Sequence, residues 1–348
     1  DYFILSEYGD IVTISNNTIS NCLGIASVDG SGSSAIAVWD DPATQATISG
    51  NTMTNNSTGI GIVGINGVTT DPTVVIGAGN LFDGGDYGVT MEQYSGPYTP
   101  SVTFTGMSTF KGQAIAALFV DNGISAGVTI DISSAEFRTA GNGLITDNFA
   151  KEDLVIHAID AGNRALFVWN PTNVYVTTSS FIPPFTSTAK VQRGVDASSN
   201  TWTVNVANGT YDEQVAVNKS LTIKGANAGI AGNGVRGLES IIDGNNAAHA
   251  GFVITAPNVA IDGFKVQNCG NTIYESGIYT NSTGTMIKNN ILFNNEKGVY
   301  ASNTGPSTVQ FNLFDGNNRV GMAAPAISLY SFTSNGLSVL SNEFKNQN

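Results

Sequence analysis

Charge, histidine and cysteine are scarce in this chain, and each shortage removes a class of function. Charged residues make up 12% of the 348 positions, and 14 Lys and Arg face 27 Asp and Glu, for a formal net charge of −13. A phosphate backbone or an anionic membrane surface needs clustered cations, so neither fits as a partner. No apolar run approaches the roughly 20 residues of a membrane-spanning helix, and no basic-then-apolar leader opens at Asp1. The chain is therefore expected to begin after processing or inside a longer polypeptide.

The two histidines sit in VIHAI (His157) and AHAGF (His249), without a flanking Gly-His-Gly. They are expected to be core or corner residues. The five arginines, Arg138, Arg164, Arg193, Arg236 and Arg319, stand apart from acidic pairs in the sequence. A catalytic site built from a metal-binding carboxylate cluster with a neighbouring base is thus not visible, and no catalytic residue or metal ligand is assigned.

What the chain has in abundance is 40 Gly, together with Asn, Ser and Thr, a composition of turns and short strands with a polar, weakly charged surface. Short apolar strands alternate with polar corners from Ile11 onward: IVTISNNTISN, ATISGNTMTNN from Ala46, TVVIGAGNLFDGG from Thr73, SVTFTGMSTFKG from Ser101, GVTIDISSAEF from Gly127 and DLVIHAID from Asp153. Starting positions Thr13, Thr47, Val75, Thr103, Thr129 and Val155 lie 34, 28, 28, 26 and 26 residues apart. That is the spacing of a solenoid with corner loops of variable length. Ile14, Ile48, Ile76, Phe104 and Ile130 are expected to stack inside it. Asn17, Asn51, Asn80, Asn290, Asn312 and Asn342 recur at a corner, where Asn tolerates a left-handed backbone and its amide can pair with the Asn of the next coil. The expected fold is all-β: a right-handed parallel β-helix with about three strands per coil, broken by one short helix and Pro-rich junction.

That junction is FIPPFTSTAKVQRGVDASS, where Pro183 and Pro184 precede Val191 and Val195, four residues apart as on one helical face. It divides the chain into 1–186, the last coils of one unit, and 187–348, a capping helix and the first coils of the next. Ala326 onward matches Ala35 onward position by position, with Ile327 on Ile36, Tyr330 on Trp39, Val339 on Ile48, Asn342 on Asn51 and Phe344 on Met53. The implied super-repeat is about 290 residues. Cys22 and Cys269, in ISNC and VQNC, lie about nine coils apart at about 4.8 Å per coil, several times the reach of a disulfide. Both read as small buried hydrophobes.

The stretch TVNVANGTYDEQVAVNKSLTIKG, from Thr203 to Gly225, resembles the first coil of pectate lyase-like and pectin methylesterase-like β-helices. There, a G-x-Y-x-E turn, here Gly209, Tyr211 and Glu213, precedes a strand of the form V-x-K-x-L-T-I-x-G. The chain as a whole resembles the β-helical repeat regions of large bacterial cell-surface adhesins and filament proteins. That resemblance implies an extracellular, structural role as a rigid stalk. Its partners would be further units of the same polypeptide or neighbouring copies, with glycans as ligands. The pectate lyase-like resemblance implies a second function, a polysaccharide-active enzyme, although of the N-T-D, D-D, G-H-G and R-I-K elements of a polygalacturonase-like site only Asp40-Asp41 is present.

One exposed constellation remains. Trp39 should point outward if Ile36 and Val38 point inward, with Asp40 and Asp41 beside it and Tyr330 in the matched place. These four are the candidate ligand residues, for a sugar ring or, through the two aspartates, calcium. No cofactor is expected beyond structural calcium, for which the corner carboxylates Asp83, Asp86 and Asp315 are further candidates. Thr13, Ser15, Thr47, Ser49, Thr103, Thr105 and Thr129 form a hydroxyl strip interrupted at Val75, Gly77 and Asp131, too irregular for an ice-binding face.

Overall fold

The computed structural model describes the chain apart from residues 1, 8, 25–32, 40–43, 65–71, 94–97, 248, 272–274, 303–304, 320, 322–324, 331–335 and 348, and gives only the backbone of 329–330. It is almost entirely β, with seven parallel sheets in which strands pair with the third strand along the chain, except that Asn173–Val176 pairs with the next strand, Thr203–Val206. Three strands therefore make one coil of a parallel β-solenoid. The chain separates into two compact units, 1–171 with 182–186 and 172–181 with 187–348.

In the first unit the expected stack is present. Ile14, Ile48, Ile76 and Phe104 face one another in register on four successive strands, and they and Ile130 are buried. A second inward column runs Ile19, Met53, Phe82, Phe110, Phe137. Its phenyl rings stack 4.7 Å and 5.7 Å apart. One assignment is corrected. Val155 is not the successor of Thr129: it pairs with Leu118 in a different, six-stranded sheet, and Thr129 faces Leu166. A short helix that the repeat pattern hides, α1 (Asn148–Glu152), lies between them. Asp147 caps it by accepting from the Phe149 N–H at 3.0 Å.

In the second unit the motif Gly209, Tyr211, Glu213 acquires a physical role. Tyr211 is 1% exposed and its hydroxyl donates to the Ala207 carbonyl at 3.1 Å. Glu213 accepts from the Val191 and Gln192 N–H groups at 2.6 Å and 3.1 Å, the free donors of helix α2 (Val191–Ala197). Burial pushes the Glu213 carboxyl up, opposed by those two amides and by Lys190 and Arg193. The helix turns Val191 and Val195 inward, both 0% exposed. Here the expected single helix is in place; the described residues contain two.

Each unit carries a corner ladder of asparagines. The Asn17 Nδ2 donates to Asn51 Oδ1 at 2.9 Å, and Asn51 Nδ2 to Asn80 Oδ1 at 3.2 Å. Likewise Asn290 donates to Asn312 at 3.1 Å and Asn312 to Asn342 at 3.0 Å. The left-handed residue, however, is the one before each ladder asparagine: Asn16, Gly50, Gly79, Asn289, Phe311 and Ser341 have φ of 58°, 67°, 80°, 59°, 56° and 51°. Glycine suits that position because it lacks the Cβ that makes positive φ costly. The asparagine itself is held by its amide.

A second ladder explains the cysteines. Cys22 N–H donates to Asn56 Oδ1 at 2.9 Å, and Cys269 N–H to Asn295 Oδ1 at 3.0 Å, with Asn295 pairing onward to Asn317. Each cysteine heads its ladder, is buried and forms no disulfide. Burial raises both thiols, that of Cys269 to about 12, so neither is a reactive thiolate.

Candidate functional site

The six-stranded sheet of the first unit differs from its neighbours in what it carries on its outer face. Its strands include Ser34–Trp39, Thr58–Gly64, Tyr87–Gln93 and Ala116–Val120. Ile36, Ile60, Val89 and Leu118 form one inward column, and Val38, Ile62, Met91 and Val120 another, all at 0 or 1% exposure. Alternation then sends Ala37, Gly61, Thr90 and Phe119 outward. Beyond them Trp39, Val63 and Glu92 stand in register. Asp121 continues that line, since it follows Val120 and its N–H donates to the Met91 carbonyl at 2.8 Å.

Trp39 is partly exposed, with its ring edge-on to Tyr2 at 6.1 Å. The Tyr98 ring packs where a Cβ on Gly64 would come within 2.1 Å of it, and its hydroxyl donates to the Ile62 carbonyl at 2.7 Å. Glu92 and Asp121 remain partly exposed. Burial pushes the Glu92 carboxyl up, opposed by a hydrogen bond from Thr90 and helped to a lesser degree by the Asp121 carboxylate. Burial also raises the Tyr87 phenol, helped by Glu92 and Asp86. The Tyr87 ring lies 5.5 Å from that of Phe119.

Arg164 completes the group. It is 1% exposed, its guanidinium lies 5.7 Å from the Phe119 ring and 5.0 Å from the Phe185 ring, and its Nη1 donates to the Val120 carbonyl. Its Nε and Nη2 make no hydrogen bond. Burial pulls its pKa down, while Asp121 and Asp160 favour the charged form. Asp160 lies four residues before Arg164 in the sequence, and the fold adds Asp121.

Comparison with known proteins adds no name to this arrangement. No protein-family model, curated protein or solved structure matches the chain. Its chemistry rests on its own geometry.

Glu152, His157 and Asp160 offer donor atoms within 4.8 Å of one another, the spacing of a metal site, and all three are buried. Their hydrogen bonds already occupy the donors. The His157 Nδ1 accepts from the Phe167 N–H at 3.1 Å, which leaves the proton on Nε2, where it is donated to Glu152 Oε1 at 3.2 Å. Asp160 Oδ2 accepts from the His157 N–H at 2.9 Å. The lone pair a metal would need is spent on a backbone amide. Desolvation lowers the His157 pKa to about 4, so the ring is neutral and serves as a core strut between Phe167 and Trp169.

Of the four residues singled out in the sequence, Trp39 stands on this outer face. Asp40 and Asp41 lie outside the described residues. Tyr330 ends a strand of the other unit opposite Ser302, its side chain also outside them. Asp83 is neutralised by Lys111 at 2.9 Å, and Asp315 accepts from Asn346 at 2.8 Å. Glu92, Asp121 and Arg164 were missed because 72 residues of sequence separate the first from the last. The available signal was the register: Glu92 falls two rungs after Trp39 once the strands are aligned.

Proposed function

We propose that the chain is a structural repeat segment of a large extracellular surface or filament protein, a rigid stalk that presents glycan-contacting faces. The observation that supports this reading is the ladder of asparagines running rung to rung beside parallel strand pairing in each unit. Such a stack adds rungs without changing its local chemistry, as length-extensible solenoids do. The test is the length of the native polypeptide combined with electron microscopy of the isolated material. A chain of many such units, or a fibre whose period corresponds to about 290 residues, supports the stalk. A free secreted protein of this size that depolymerises polysaccharide overturns it.

A specific observation favours the second reading, a polysaccharide-active enzyme. Glu92 and Asp121 sit on adjacent rungs, whose backbones are about 4.8 Å apart along the sheet, and a pair of neighbouring carboxyl groups is what glycoside hydrolysis uses. The raised Glu92 pKa suits a proton donor and Asp121 the partner carboxylate. Release of reducing ends that Glu92→Gln abolishes would establish this reading, and its absence across a polysaccharide panel would remove it.

A further inference from the structure

We infer that the partly exposed Trp39, Glu92 and Asp121, set in one line across four rungs with the buried Val63 between the first two and Arg164 at the far end, form a binding track for an uncharged glycan lying along the solenoid axis. The inference rests on the glycan-contacting part of the proposed function and deepens it by naming the place, the direction and the class of ligand.

The direction follows from the register. Four rungs carry the line, so its ends are roughly 14 Å apart at about 4.8 Å per rung. An extended sugar chain of about three rings covers that distance. Trp39, partly exposed, offers an aromatic face to the C–H face of one ring. Glu92 and Asp121, also partly exposed, meet the hydroxyls further along. A carboxylate accepts from a vicinal diol, and a protonated carboxyl also donates.

Arg164 is the independent sign of a ligand. A guanidinium buried to 1% exposure with two nitrogens making no hydrogen bond is costly unless something completes it. Phe185, 53% exposed, lies over it. Swinging that ring aside opens the guanidinium to a hydroxyl at the Asp121 end of the track.

The ligand class follows from charge. Asp121 and Asp160 both act on the one arginine, and Glu92 stands beside Asp121. Even with Glu92 protonated, a uronic-acid chain would bring carboxylates to an acidic face, whereas a neutral chain meets no such repulsion.

The test is isothermal titration with cellohexaose, xylohexaose and mannohexaose, and with hexagalacturonate as the acidic counterpart. At least one neutral hexasaccharide is expected to bind more tightly than hexagalacturonate. Trp39→Ala is expected to weaken it about tenfold, Trp39→Phe to restore most of the loss, and Asp121→Ala to weaken it severalfold, each with an unchanged circular dichroism spectrum. Binding of neutral sugars that Trp39→Ala and Asp121→Ala leave intact overturns the track but keeps the glycan reading. Preference for hexagalacturonate overturns the ligand class alone. No binding of any of the four overturns both the track and the glycan-contacting part of the proposed function.

Discussion

The two units use the same coil and spend their outer faces differently. In the second unit, polar groups on the sheet faces are matched locally: Asp262 lies 3.4 Å from Lys288, Gln267 donates to Asp243 at 2.7 Å, and Lys265 sits over Phe293. In the first, Glu92, Asp121 and Arg164 share one face without an ion pair among them, and burial shifts the pKa of Glu92 up and of Arg164 down. Their cores differ too. The first stacks Phe82, Phe110 and Phe137; the corresponding interior line of the second unit reads Tyr211, Ile242, Val266, Leu292, Phe314. A solenoid coil is thus indifferent to what fills it provided the volume is filled, and chemistry can be added on one face without altering the backbone.

The strongest way to test the contrast in cores is Phe110→Ala. It removes the middle ring of the stack, and about 4 kcal/mol of stability is expected to go with it, against about 2 kcal/mol for Val266→Ala in the other unit. Denaturant unfolding followed by hydrogen exchange within each unit measures both. Equal losses would mean that the stacked rings contribute no more than their counterparts.

The ladders are what the units share. Asn312→Ala strips an acceptor from the Asn290 N–H and a donor from the Ile287 carbonyl, both buried, and should cost about 3 kcal/mol. Asn51→Ala makes the same cut at the Asn17 N–H and the Ile14 carbonyl. Similar losses at the two sites would confirm that the corner does the same work in both units.

Acid separates the units again. His157 is neutral and buried, with a folded pKa of about 4 against 6.5 for the free side chain. The unfolded chain therefore takes up its proton first. Stability from this group is intact above pH 6.5, declines as pH falls below it, and is reduced by about 3 kcal/mol near pH 4. Exchange rates in the first unit should rise over that window, and His157→Gln should flatten the rise.

The smallest of these effects concerns helix α2. Glu213→Ala leaves the Val191 and Gln192 amides without their acceptor and should cost about 1–2 kcal/mol, seen as faster exchange at those two amides. Loss of protection throughout the second unit would show instead that the helix holds the coils together.

Sequence by itself determined the coil: its strand spacing, the inward Ile14, Ile48, Ile76 and Phe104, the corner asparagines, the buried cysteines and the α2 turn. Each is written in a local pattern, alternation of period two or an Asn at a fixed offset, because each coil repeats the last. The left-handed residue lies one position before the ladder asparagine; Asn fits both the ladder and the αL slot, and only Gly50, Gly79, Phe311 and Ser341 tell them apart. Tertiary structure alone decided that Val155 joins the Leu118 sheet, that His157 gives its lone pair to Phe167, and that Arg164 lies over Phe119 beside Asp121. Those outcomes depend on how loops of unequal length return the chain to the stack, which fixes which distant residues share a rung. The coil is legible because it is local and repeated; the outer face is not, because its neighbours along the axis are a full turn apart in sequence.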